Sequence, residues 1–476
     1  MLTTLVFFPS AAALLLMLAP RDNPRLLYKL NIAIACVPLV MVLLLWPPFL
    51  SNSVLSLLES RAWIPTIGAS YALRIDGINL PFLTMITFLV AIASMLPPIG
   101  DENLRKQSIL LFFWETVLLG AFLSHDYVLF VMFWAASTVP IYYLMEAPSE
   151  PRELPTAKTY VFSSLLSIAA LAIGLLILSA SLEAPIFAVD ELSNIVTTSL
   201  DPATQWWTFL AIFVGCSLRL PVFPMHIWLP LTLPRLPVAA GMVLVGGFIP
   251  LGIYGLLRFA LAVLSDAIAA FTLVLAIAGV VNLIFGSLAS LGTENRRRKA
   301  GYQTMAYTGI ALLATATFTL GGISGALYTM IALGLAMAYS LALTVLTYPQ
   351  DSPRGWPLLL YGLDAAQQLR LPGFAGFIGL LTAFSPIFRS FPKMSISVIA
   401  ALILIAIDYG RLLSEMLSTG PDDNIGAPRT SLSPLTAGAG TAASLLLFAS
   451  VVLGFRPDLV LQIIEPAIRQ ILPLLN

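Results

Sequence analysis

LRLPVFPMHIWLPLTLP, residues 218–234, is the stretch on which the fold turns. It is apolar enough to lie in a bilayer, yet it holds Arg219, His226 and four prolines. Proline removes a backbone donor and clashes with the preceding turn, so Pro221 and Pro224 predict a broken helix. The carbonyls freed by such a break are tolerated at membrane depth only inside protein or beside water. A buried polar site is therefore expected around it.

The rest of the chain supports the bilayer reading. Its 476 residues are 59% hydrophobic and 10% charged, against about 25% charged in a soluble domain. Apolar runs of ~20 residues recur from end to end and predict an all-α polytopic membrane protein with about fourteen transmembrane helices. Residues 206–231 form the seventh and 356–388 the twelfth, which is too long for one straight crossing and is expected to be tilted or broken. Residues 49–77 are the main polar loop, expected as short extended pieces. The closing stretch, RPDLVLQIIEPAIRQILPLLN, reads as an amphipathic tail lying on the membrane surface.

Several function classes fall away. Net charge is zero, so no nucleic-acid partner is implied; the partner that composition implies is the lipid bilayer. Cys36 and Cys216 both sit in apolar runs, which argues against a disulfide framework or a zinc site. No metal cluster, phosphate loop or nucleophile triad is found, so no metal, cofactor or catalytic residue is expected.

Loop charges give the topology. Of the 24 Lys and Arg, fifteen fall on one side and seven on the other, and Arg219 and Arg370 are left inside spans. The richer side is expected to be cytoplasmic or stromal, with both termini on the non-cytoplasmic side. Arg370-Leu371-Pro372-Gly373, five spans after Arg219-Leu220-Pro221, repeats the tripeptide in a second interrupted span. The odd offset predicts two inverted five-helix repeats with broken helices 7 and 12. The expected units are 1–106, then 107–260 and 264–418 as the repeats, then 419–476.

Polar residues inside spans are expensive and point to function or pairing. Arg219 is the foremost. It keeps its proton and can gate or attract but not shuttle; bracing of freed carbonyls is its structural alternative. His226 follows at seven residues, a helical spacing, and can titrate near neutral pH; packing against Trp228 is its bland reading. Glu115 stands alone in LLFFWETVLLG. Asp364 and Arg370, six apart, are poorly spaced to pair. Asp408 and Arg411, at i and i+3, are expected to pair locally. His125 and Asp126 sit at a tight turn and are expected to be solvated. The RRRK run at 296–299 reads as a topology anchor.

At this point a resemblance enters. VGCSLRLPVFPMHIWLP with LPVAAGMVLVGGFIPLGIYGLLRF resembles the span 7–8 signature of the antiporter-like membrane subunits of respiratory complex I, M/D-type above all, and of Mrp cation/proton antiporters. IDGINLPF, DYVLFVMFWAASTVPIYYLM, ENRRRKAGYQTMAYTGIALL and LPGFAGFIGLLTAF are similar to further family segments, so the resemblance spans about 60–415. It implies a proton relay of Lys, Glu and His near the midplane, partnership with other membrane subunits, and any NAD(P)H- or ferredoxin-quinone oxidoreductase chemistry residing elsewhere in the assembly. It also implies a bacterial inner membrane or thylakoid location.

The departures are specific. The family's span-5 glutamate falls on Ala135, its span-7 lysine on Arg219 and its span-8 lysine on Pro250. Its histidines fall on Tyr307 and Leu333, and its span-12 glutamate on Leu380. Three expectations follow: a subunit degenerate in proton relay with a structural or coupling role, an ion or small-anion (bicarbonate, for example) pathway rebuilt around Arg219, or a stand-alone cation/proton antiporter. Whether Ser217, Tyr302 or Gln303 supplies a substitute relay stays open.

Overall fold

The computed structural model describes residues 1–18, 23–51, 55–96, 101–145, 154–182, 186–193, 200–261, 263–264, 268–346, 356–418 and 434–471. Among them nine helices are long and apolar enough to cross a bilayer, and three shorter apolar helices accompany them. The expected figure of fourteen further counts the interrupted 202–232 unit and the helix at Arg296–Thr315, and takes the interrupted 356–390 unit as one span. Among the basic residues used for the topology, Arg21, Arg152, Arg354 and Arg429 lie outside the described residues.

Helices α1 (Leu2–Met17), α2 (Pro24–Leu43) and the short α3 (Trp46–Ser51) lead to a hairpin, β1 (Leu57–Ile64) with β2 (Ala69–Ile75), that pairs Leu57 with Ile75. The extended pieces expected in the polar loop are this hairpin. It hands over to α4 (Leu80–Met95) through Asp76, whose carboxylate accepts from the Ile78 and Asn79 amides and pairs with Arg258 from the far end of another helix. Helices α5 (Asp101–Leu123), α6 (Tyr127–Ala136), α7 (Val139–Met145), α8 (Leu154–Ser181) and α9 (Pro202–Arg219) follow, and then the break and the short α10 (Trp228–Thr232). Helix α11 (Val238–Leu261) is buried along its whole length. It widens into a π turn at Leu244–Phe248 just before Pro250, whose missing donor would have met Gly246.

The second half runs α12 (Ile268–Leu291), α13 (Arg296–Thr315), α14 (Leu320–Leu346), α15 (Trp356–Gln368), α16 (Ala375–Ser390) and α17 (Pro392–Ser418). Helices α12 and α13 approach closely: a Cβ on Gly309 would stand 2.6 Å from the Gly279 carbonyl oxygen. Such small-residue seams are how helices associate where lipid removes the hydrophobic drive. Helices α18 (Pro434–Phe455) and α19 (Asp458–Ile471) close the chain.

The tail expectation needs correction. Helix α19 buries Val460, Ile463, Ile464, Ala467 and Ile468 on the protein itself, against α3 and α14. The turn at Gly77 lies so close that a Cβ there would fall 2.2 Å from the Ile463 carbonyl oxygen. The amphipathic stripe was real, but its apolar partner is protein.

Candidate functional site: two helix breaks and their arginines

The first break runs from Leu220 to Ile227 and is not helical. The seven-residue spacing of Arg219 and His226 therefore does not place them on one face. Two side chains satisfy the freed backbone. Asn282, fully buried in α12, accepts from the Phe223 amide at 2.7 Å and donates to the Pro221 carbonyl at 3.2 Å. The Trp228 indole donates to the Leu218 carbonyl at 2.6 Å. The Phe223–Pro224 peptide is cis. Asn282 escaped the sequence reading; a lone Asn inside a long apolar helix is itself a costly polar group and was the available signal.

Arg219 points away from this segment. Its guanidinium lies over the Trp134 ring at 3.6 Å and over the Phe248 ring at 3.9 Å, and Nη2 donates to the Trp134 carbonyl at 3.1 Å. That carbonyl belongs to the end of α6, where the chain is interrupted at Ser137–Thr138 before α7. Carbonyl bracing, the structural alternative, is thus what Arg219 does, at a different interruption from its own. Aromatic faces attract a desolvated guanidinium by ~2 kcal/mol or more. The cavity beside it, lined by Tyr160, Ser163, Ser164 and Ser167, is about 10 Å³, at the lower limit for one water. Nη1 has no hydrogen-bond partner among the described residues.

The other first-half candidates disperse. His226 is buried against Phe223 and Phe285, with ring centroids at 5.6 and 4.8 Å, rather than against Trp228. Both Glu115 carboxyl oxygens are buried with no hydrogen-bond partner among the described residues. Ala135 is half-buried, and Pro250 is buried within α11. Among the described residues no carboxylate pairs with Arg219.

The second break is built alike. Arg370, at φ 56°, and Gly373, at φ 98°, take left-handed conformations between α15 and α16. The Arg370 guanidinium lies over the Tyr307 ring at 3.9 Å, and the Tyr307 hydroxyl donates to the Gln368 carbonyl. A Cβ on Gly376 would stand 2.5 Å from Arg370 Cδ, so the arginine would have to shift to admit one. Pro372 is exposed. Leu333 is buried and Leu380 half-buried, each presenting hydrocarbon where a titratable group would be needed.

Three further expectations change. Asp408 pairs with Lys299 across helices at 2.6 Å, not with Arg411. The RRRK run is more than an anchor: Arg296 stacks on Tyr361, and Arg297 donates to the Leu236 carbonyl at 3.2 Å. His125 and Asp126 are buried, not solvated. Asp126 caps α6 by accepting from the Leu129 amide at 3.1 Å and also holds Ser70. His125 Nε2 lies 3.0 Å from Asp190, which Arg74 also binds at 2.9 Å. These donors hold the Asp190 carboxyl down at about 2. Burial outweighs the pull of Asp190 on His125 and pushes its imidazole below the usual value.

Comparison with known proteins bears on this arrangement. Residues 124–352 match the family described as NADH:quinone oxidoreductase/Mrp antiporter, transmembrane. NAD(P)H-quinone oxidoreductase chain 4 1 of Synechococcus sp. (strain JA-3-3Ab) is 30% identical over 401 residues, covering 80% of this chain and 74% of its own length. Its counterpart in Nostoc sp. (strain PCC 7120) is 28% identical over 402 residues, covering 80% and 73%. Among solved structures, a chain of respiratory complex I from Thermus thermophilus aligns with a TM-score of 0.84 at 20% identity over 100% of both chains. One from the Mrp complex of Dietzia sp. aligns at 0.84 and 16% identity, over 100% of this chain and 99% of its own.

Proposed function

Because the chain belongs to the NADH:quinone oxidoreductase/Mrp antiporter transmembrane family, we propose that it serves a complex I-like or Mrp-like ion-translocating assembly as a membrane subunit that does not relay protons by the family's own route. Its role is then structural or coupling. The observation that carries this reading is the seat of Arg219. A fixed cation held by Trp134, Phe248 and a carbonyl needs no titratable partner, and among the described residues no carboxylate pairs with it in place of the glutamate lost at Ala135. Proline and leucine at 250, 333 and 380 bind no proton, and apolar lining leaves water wires unsupported.

Partnership with other membrane subunits is supported by the breaks themselves. Phe223, Pro224, Met225 and Ile227 of the first, and Leu371 and Pro372 of the second, are exposed on the isolated chain. Irregular backbone is not left facing lipid, so neighbouring protein is the cover we assign. In the topology that the loop charges favour, the Arg296–Lys299 face is cytoplasmic or stromal and both termini lie on the opposite side, in a bacterial inner or thylakoid membrane. Residues 107–260 and 264–418 act as the two inverted units, each with its arginine-bearing break.

The test is flux in the native assembly, with Ala135→Glu, Pro250→Lys and Leu380→Glu introduced together. Restored relay residues raise proton flux if the wild-type axis is silent. Robust wild-type flux that the triple variant leaves unchanged overturns the reading. A second reading, a small-anion pathway, is favoured by one observation: the unpartnered Arg219 Nη1 beside the serine-lined cavity. Loss of anion flux in an assembled Arg219→Ala variant would support it, and unchanged flux would exclude it.

A further inference from the structure

Asp364 lies in α15, buried to 2% exposure, and among the described residues no cation hydrogen-bonds or ion-pairs with it. Its carboxylate meets neutral groups. Tyr409 OH stands 3.3 Å from Oδ2, and Gln368 Nε2 stands 3.4 Å from Oδ1. A carboxylate so far from water needs a compensating charge or a proton of its own. None of the five lost relay positions coincides with it.

A continuous polar line connects it to the basic face. Lys299 Nζ pairs with Asp408 Oδ1 at 2.6 Å, Asp408 Oδ2 accepts from Gln303 at 3.4 Å, and Tyr409 OH stands 3.4 Å from Gln303 Oε1. These same residues, with Ser340, Thr344, Tyr361 and Arg296, surround a cavity of about 20 Å³, which holds about one water. On the inner side the line stops. Gln368 Oε1 is buried without a partner, the Tyr307 hydroxyl is committed to the Gln368 carbonyl, and the Arg370 guanidinium stands over Tyr307.

We propose that Asp364 is a one-sided proton-binding site, loaded from the Arg296–Lys299 face by a single water held among Asp408, Gln303 and Tyr409. The proton arrives from that water on Asp364 Oδ2 and leaves by the same route, because the fixed Arg370 charge repels onward passage. A metal cation is disfavoured because Lys299 already neutralises Asp408. The charged and titratable groups facing the site are Arg296, Lys299 and Tyr307 from α13, Tyr339 from α14, Tyr361 from α15 with Arg370 beyond it, and Asp408 and Tyr409 from α17. The inference rests on the non-relay reading only for its consequence: a subunit that binds a proton from one face without passing it across.

The experiment reads protonation, not flux, so the two ideas fail separately. The full chain in lipid nanodiscs is stepped between low and high pH and followed by infrared difference spectroscopy. A carboxylic C=O band that shifts in D₂O is expected, lost in Asp364→Asn, kept in Asp408→Asn and displaced in frequency in Tyr409→Phe. Gln303→Leu keeps the band and slows its deuteration. A band unchanged by Asp364→Asn, or one removed by sodium at fixed pH, overturns the proton site; unchanged deuteration in Gln303→Leu overturns the route. Should Asp364→Asn fail to fold, the near-isosteric Tyr409→Phe decides alone, and an unmoved band counts against the proposal.

Discussion

Single residues hold the two breaks, and their loss has a size. Removing Asn282 leaves the Phe223 amide and Pro221 carbonyl unsatisfied in a buried place, at about 1–3 kcal/mol for each group. Asn282→Ala should therefore lower the thermal midpoint clearly; unfolding in mild detergent measures it. Arg219→Lys gives up planar stacking on Trp134 and Phe248, and should cost about 1–2 kcal/mol despite keeping the charge. At the polar end, the His125–Asp190–Arg74 cluster sets a pH window. His125 prefers to be neutral when folded, so its contribution is full above about 6.5 and is lost as pH falls from there through its lowered folded value. Asp190, held at about 2, loses its contribution only below the ordinary carboxylate range. The opening free energy that hydrogen exchange reports at 186–193, corrected for the intrinsic amide rate, should fall as pH drops below about 6.5, and His125→Gln should flatten that response. Arg219 and Arg370 were visible in the sequence as charges in spans. Their aromatic seats were not, because Trp134, Phe248 and Tyr307 come from other helices.

At the scale of elements, packing follows the small residues. Gly309→Leu must push α12 and α13 apart at the Gly279 carbonyl and should cost about 1–3 kcal/mol or more from overpacking. Gly362→Ala, where a Cβ meets nothing within 4 Å, should instead be neutral or stabilise by up to about 1 kcal/mol through helix propensity. Thermal midpoints of the pair separate the two effects. The helices and their breaks were legible because apolar runs and prolines act locally. The helical phase between Arg219 and His226 was misleading, since the prolines had already ended the helix that would have set it. The Asp408–Arg411 pairing failed for the opposite reason. A local partner at i+3 was on offer, but Lys299, 109 residues away, reaches the carboxylate at 2.6 Å, and sequence spacing carries no information about that. Amphipathicity in α19 was legible too, though an apolar stripe does not say whether lipid or protein covers it.

Across the whole molecule, one half carries a fixed charge in an aromatic seat, and the other adds to such a seat a buried carboxylate open to one face. Exposed breaks call for neighbours, so extraction from native membranes in mild detergent should bring further membrane subunits with this chain. Migration alone would count against a subunit role. The iron–sulfur content of the co-purified material decides between a redox assembly and a purely antiporter-like one. Replacing Ile227 and Leu371 together by Asp should dissociate the neighbours while leaving the isolated fold intact, because both side chains face outward.

The seat of Arg219 has an optical consequence. One of the chain's eight tryptophans, Trp134, carries a guanidinium 3.6 Å above its ring. A cation that close perturbs the indole excited state, so the emission of Trp134 reports on whether the arginine is seated. The difference spectrum between the wild-type chain and its Trp134→Phe variant isolates this emission as a label-free gauge. Docking of a neighbour that leaves the arginine in place would leave the spectrum still, and one that withdraws it would be seen as light.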